Sequence, residues 1–223
     1  MEQANKRNAL ISLIIAIAGA IAGLFGVTAF NQYVLMNLPL AARMVSAIVT
    51  YWLIAIIPII IMFVSKDRLL DYGFEKDKIG IQLAIGAVLG IAMSLILTLI
   101  PHLVGFGNYV GSGRYEYLWK FIYEFVYCIL AVGAVEEFVF RGLIYTKAKQ
   151  IIQKDWFAAV ISSVLFGFFH ILRGNAVQMI MTVLMGALFC LFRVRIKRCS
   201  TLSIIIAHGV YDALITVWAS LLL

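Results

Sequence analysis

The chain reads as long apolar stretches separated by short polar ones. Stretches near the length a helix needs to cross a bilayer, about 20 residues, fall at roughly 9–30, 43–65, 80–104, 119–141, 156–172, 176–195 and 201–222. They lack period-two alternation and are too long for barrel strands, so strands are not expected. No connection exceeds about 15 residues and no Ser/Pro/Gly linker interrupts the series, which predicts a single integral membrane domain over 1–223. The predicted fold is all-α, a polytopic transmembrane helix bundle of about seven to eight spans. The eighth element would be a half-span within 105–120. The first stretch, Ala9 to Phe30, is too long for the apolar core of a signal peptide and lacks a convincing small-residue cleavage site, so it reads as a span.

Small residues and prolines add detail. Gly19-xxx-Gly23 and Gly86-xxx-Gly90 form ridges that let helices approach closely, within the bundle or across a homodimer. Pro58 predicts a kink inside the second span, and Pro101 lies near the end of the third. Trp52, Trp119, Trp156 and Trp218 lie in or near span ends, where indole rings anchor at headgroups.

Composition agrees with the pattern. Of 223 residues, 64% are hydrophobic and 13% charged, with a mean hydropathy of +1.02; a soluble domain is about a quarter charged. The net charge of +7 therefore bears on topology and anionic lipid, and no nucleic-acid partner is expected. With seven spans, 14 of the 18 basic residues fall on one side. These are Lys6, Arg7, Lys66, Arg68, Lys76, Lys78, Arg141, Lys147, Lys149, Lys154, Arg193, Arg195, Lys197 and Arg198. Only Arg43, Arg114, Lys120 and Arg173 fall on the other. That bias places the N-terminus in the cytoplasm and the C-terminus outside. Cys128, Cys190 and Cys199 form no close pair and read as buried filler.

Within or beside these spans lie Glu124, Glu136, Glu137, Arg141, His170, His208 and Asp212. An ionisable group at the bilayer centre costs at least about 2.5–3.5 kcal/mol and usually marks a cavity, a partner or a functional site. Glu137 and Arg141 are four residues apart with the acid first, the better order for a helical ion pair. Glu136 is rotated about 100° from Glu137 and is chemically more available. His208 and Asp212 share one helical face. Carboxylates and histidines on three helices are what water activation requires: a base for the water proton and donors for the developing oxyanion. Two histidines and a carboxylate are also a zinc ligand set. HExxH and G-x-S-x-G motifs are both absent from the sequence, so neither zincin nor acyl-enzyme chemistry is expected.

Three motifs carry a resemblance: "EEFVFR" (Glu136, Glu137, Arg141), "FGFFH" (Phe166, His170) and "HGVYD" (His208, Asp212), separated by roughly 30 and 40 residues. In order and spacing they resemble the CPBP family, the CAAX-protease and bacteriocin-processing membrane proteins also called Abi. The likeness covers the core at 116–222; the earlier helices resemble the family only in being apolar. It implies an intramembrane endopeptidase in which Glu136 is the base for water and His170 helps position or activate it. His208 and Asp212 bind the oxyanion, and Glu137, Arg141 and Phe166 support the site. Where many relatives carry asparagine, this chain has Asp212, and an ionised aspartate donates no hydrogen bond. Asp212 is then protonated, or orients His208, or helps hold a metal. A metal-free glutamate mechanism is favoured, with zinc on Glu136, His170 and His208 as the alternative.

Depth sets one condition. If Arg141 and Asp155 both mark the cytoplasmic boundary, His170 lies about 22 Å along its helix while Glu136 is only about one turn deep. The two meet if the fifth helix starts outside the hydrocarbon or the fourth continues through "LIYTKAKQIIQK", which contains no Gly or Pro. Both are expected, with a water-filled vestibule open to the cytoplasm. The small chain suggests a bacterial plasma-membrane protease acting near the cytoplasmic face on a lipidated or precursor peptide. The competing expectations are a non-catalytic bacteriocin-immunity or scaffold protein and a small proton-coupled transporter.

Overall fold

The computed structural model describes residues 2–106, 117–171 and 176–222. Backbone N–H and C=O groups in hydrocarbon find no water, so each apolar stretch satisfies them internally as a helix. Among the described residues there are helices, turns and no strand. The helices are α1 (Glu2–Tyr33), α2 (Leu40–Tyr51), α3 (Leu53–Val64), α4 (Ile79–Phe106), α5 (Leu118–Ile152), α6 (Asp155–Phe169), α7 (Ala176–Arg195) and α8 (Thr201–Leu222). Among the described residues, six apolar passes are long enough to cross a membrane: α1, α2 with α3, α4, α5, α7 and α8. The seventh, α6, has 15 residues, about 22 Å of helix.

Two expectations change and a third holds. The second span turns at Trp52, ahead of Pro58, which sits buried inside α3. Pro58 lacks the N–H that would bond to Ile54 O and crowds that carbonyl, so the turn at Trp52 lies upstream of the segment on which the proline acts. The fifth stretch stops at Phe169, with His170 capping the helix end. The fourth stretch runs on to Ile152, as its lack of Gly and Pro allows. The half-span placed at 105–120 falls largely on 107–116, outside the described residues, as do Arg114 and Arg173.

Packing follows the small residues. A side chain at Gly19 would collide with Ile57, and one at Gly23 with the Leu53 and Ile54 backbone, so this ridge lies against α3. The ridge of Gly86 and Gly90 lies against Ser203, Ile206, Ala207 and Val210 of α8. Both ridges are covered within the chain, and a homodimer through them would have to displace α3 or α8. The helix α6 packs along α7, and the C-terminal part of α5 packs between α1 and α6.

The basic segments predicted for one side do meet at one end of the bundle. Lys147 pairs with Asp67 at 2.6 Å, and Lys149 with Asp155 at 2.6 Å. The Tyr72 hydroxyl donates to Asp67 at 2.8 Å. Thr201 donates from its amide to Gly73 O at 2.9 Å and from its hydroxyl to Tyr72 O at 2.7 Å. These bonds tie the loop after α3 to the ends of α5 and α8. A polar cleft of about 820 Å³ opens there, lined by Lys6, Asp67, Asp71, Tyr145, Lys147, Arg193 and neighbouring side chains. None of the motif acids or histidines lines it.

Candidate active site

The helix α5 carries the two adjacent acids on a short regular turn, Ala134–Glu137. On either side the helix widens, over Cys128–Gly133 and Phe138–Ile144, into turns closed by bonds five residues apart. Close approach to α8 depends on glycine. A Cβ on Gly133 would lie 2.6 Å from Ile205 O, and one on Gly209 2.6 Å from Ile129 Cα. This backbone-to-backbone crossing brings His208 against α5.

Glu136, Glu137 and Arg141 are 1%, 0% and 0% exposed. As the spacing predicts, Arg141 Nη1 donates to Glu137 Oε1 at 3.0 Å. His208 Nδ1 meets the same oxygen at 2.7 Å. The rest of the guanidinium lies over aromatic rings, 4.0 Å from the Phe166 centroid and 5.2 Å from that of Phe189, contacts that suit a cation with few polar partners. Gly186 makes the room, since a Cβ there would stand 2.9 Å from Arg141 Nη2. Glu137 and Arg141 thus form a buried ion pair that also engages His208.

Glu136 is as buried as Glu137 but has different neighbours. Its Oε1 accepts a hydrogen bond from the Tyr51 hydroxyl at the end of α2. Its Oε2 has no hydrogen-bond partner and faces the Nε2 atoms of His170 at 3.8 Å and His208 at 3.9 Å. The Nδ1 of His170 lies 2.9 Å from Phe166 O. A carbonyl only accepts, so Nδ1 carries the hydrogen and the neutral ring presents Nε2 as an acceptor. His208 meets acceptors at both nitrogens: Glu137 at Nδ1 and Asp212 Oδ2 at 3.3 Å from Nε2. The two-donor form of the ring satisfies that pair. Phe166, fully buried, makes edge contacts with both imidazoles, at 4.8 and 5.9 Å. All three motifs therefore meet on one phenyl ring.

Depth also closes. Glu136 stands 16 residues before the end of α5 at Ile152, and His170 follows the 15 residues of α6. At 1.5 Å per residue both are about 22–24 Å from the Lys-rich end, well inside the bundle.

Tyr51 was not singled out in the sequence, because a tyrosine in an apolar span reads as packing or as an interfacial ring. Its hydroxyl meets a residue 85 positions away, and no local pattern signals that. Glu124 is half-buried on α5, with the Cys128 thiol 3.8 Å from its Oε1. Cys128, Cys190 and Cys199 are buried free thiols.

Zinc needs donors about 2.0–2.1 Å from a common point. Among the described residues, no three His, Cys, Asp or Glu side chains are arranged to share one metal ion. In the set Glu136, His170 and His208, Oε2 stands 3.8 and 3.9 Å from the two Nε2 atoms. In this arrangement the three groups instead bracket a small polar space with an acceptor on Glu136, an acceptor on His170 and a donor on His208.

Residues 118–214 match a family described as Rce1-like, type II CAAX prenyl endopeptidase. The matched segment encloses all three motifs and agrees with the resemblance they carry. Comparison with curated proteins and with solved structures finds no match.

Proposed function

We propose that this membrane-embedded protease, whose residues 118–214 belong to the type II CAAX prenyl endopeptidase family, hydrolyses peptide bonds with water activated by Glu136. The observation that carries the reading is the asymmetry of that carboxylate: Oε1 is engaged by Tyr51, while Oε2 is unpaired and faces both histidines. Water between Oε2 and His170 Nε2 gives one proton to Oε2 and attacks the carbonyl carbon of the scissile peptide. The developing oxyanion takes over the Nε2–H of His208 from Asp212, while Glu137 holds Nδ1 and so orients the ring. Collapse breaks the C–N bond, and Glu136 returns the proton to the departing amine. Asp212 accepts from His208 in this scheme, so it serves as an orienting group and not as an oxyanion donor. No step uses a metal ion; zinc on Glu136, His170 and His208 remains the alternative to be tested.

The substrate we propose is a membrane-associated peptide, either lipidated or a hydrophobic precursor. An apolar groove of about 200 Å³ between α1 and α6 is lined by Ile17, Leu24, Phe140, Phe168, Phe169 and neighbouring residues. Phe140 and Phe169 also pack edge-on, with Phe140 against Phe166 and Phe169 against His170, so an apolar chain in the groove would lie beside the site. By charge bias the Lys-rich end faces the cytoplasm of a bacterial cell.

The test is hydrolysis of fluorogenic lipidated and unlipidated peptides by the purified protein in bilayers, alongside Glu136→Gln. Cleavage by the parent is expected, falling by about 10²–10⁴-fold in the variant with unchanged thermal unfolding. Activity that survives Glu136→Gln removes the base assignment. An inactive parent across the panel sinks the protease reading, and immunity unaffected by the variant would then favour a non-catalytic partner. Proton-coupled uptake lost with Glu136→Gln would favour a transporter. Activity lost to a chelator and restored by zinc would reverse the metal-free choice.

A further inference from the structure

The wide turn that follows the catalytic acids has a consequence for the backbone. The N–H of Tyr145 bonds to Phe140 O, five residues back, and to Gly142 O. In a regular α-helix that N–H belongs to Arg141 O, four residues back. Widening therefore releases the Arg141 carbonyl inside the bundle, where an unpaired acceptor is costly.

Two side chains from other helices attend to this turn. Arg193 Nη1 on α7 donates to Arg141 O. Ser162 Oγ on α6 donates to Phe140 O at 2.8 Å. Arg193 is itself held on both sides. Its guanidinium lies 4.8 Å from the Tyr145 ring centroid. It is also pressed against Gly73, whose φ of +80° suits glycine and where a Cβ would stand 2.5 Å from the guanidinium carbon. The same helix already makes room for the Arg141 side chain at Gly186. Helix α7 thus contacts Arg141 twice, through its guanidinium and through its carbonyl.

We propose that Arg193 is a positioning residue for the catalytic acids: it takes the carbonyl that the wide turn releases and so favours that turn over regular helix. The register makes the turn matter. Returning to four-residue bonds would shift the helix by one residue and rotate Glu136 and Glu137 by about 100° relative to the chain after Arg141. Oε2 would then leave the two histidines. The inference rests on Glu136 as the base, and its test is built to fail separately from that reading.

Arg193→Met and Arg193→Lys are compared with the parent for cleavage of the fluorogenic lipidated peptide. Amide hydrogen exchange over 138–146 is measured in the same proteins and on the Glu136→Gln background. Arg193→Met should lower kcat by about 100-fold, the scale of a misplaced catalytic group, and leave KM within about twofold. Exchange should rise over 138–146 and not across α4. Arg193→Lys, which keeps a charged donor, should recover at least part of both. Parental kcat and exchange in Arg193→Met overturn the proposal. So does a lysine variant no better than methionine, or a loss that tracks the folded fraction alone. If Arg193→Met does not fold, Arg193→Gln takes its place under the same criteria. An inactive parent would defeat the functional reading, while unchanged exchange in the Glu136→Gln background would defeat this one.

Discussion

At Glu136 the two carboxylate oxygens have different work because they have different neighbours. The Tyr51 hydroxyl occupies Oε1, and the ring behind it stands edge-on to Tyr127 at 6.1 Å. Tyr51→Phe would keep the ring contact and remove only the donor. A hydrogen bond to a charged group is worth about 1.5–3 kcal/mol, so kcat should fall about 10- to 100-fold if that bond is needed in the transition state. Steady-state kinetics check this, with unchanged KM expected; a parental kcat would show that the phenol only packs. The motif residues were legible because each is an ionisable group where lipid should be, and their separations fit helices that face one another. The Glu137–Arg141 pair followed from spacing alone. Glu136 is buried to the same degree as Glu137, and each leaves Oε2 without a hydrogen bond; the difference is that Oε2 of Glu136 faces the Nε2 atoms of both histidines.

Among the elements, the crossing of α5 and α8 sets the site. Gly209 adjoins His208, and a Cβ there would meet the Ile129 backbone, which cannot swing aside as a side chain can. Gly209→Ala should cost about 1–3 kcal/mol of stability and displace His208 from Glu137, lowering kcat as well. Thermal unfolding in micelles together with peptide hydrolysis checks both effects; a variant with parental values would mean that the helices separate without disturbing the site. The helices themselves were readable from apolar length. Their irregularities were not. Widened turns in α5 have no residue signature, since they arise from how neighbouring helices offer donors such as Ser162 and Arg193. The bend at Trp52 is likewise displaced from the proline that the sequence points to.

On the scale of the molecule, counting Lys and Arg located one end of the bundle, because those charges must leave the hydrocarbon together and their acidic partners go with them. The short wall of the bundle was less legible, since apolar residues continue past Phe169 and hide where the helix stops. That wall has a consequence for the surrounding lipid. Helix α6 offers about 22 Å of length against a hydrocarbon layer about 30 Å thick. Lipid beside it must thin or let headgroups sink, at a cost of fractions of a kcal/mol per Å, and His170 stands at that step. Acyl-chain length thus becomes a setting of the enzyme. Reconstituted in bilayers with chains of about 14 carbons, it should turn over faster than in chains of about 22 carbons, where the mismatch grows. Equal rates in both would show that the six long helices alone fix the thickness the molecule feels.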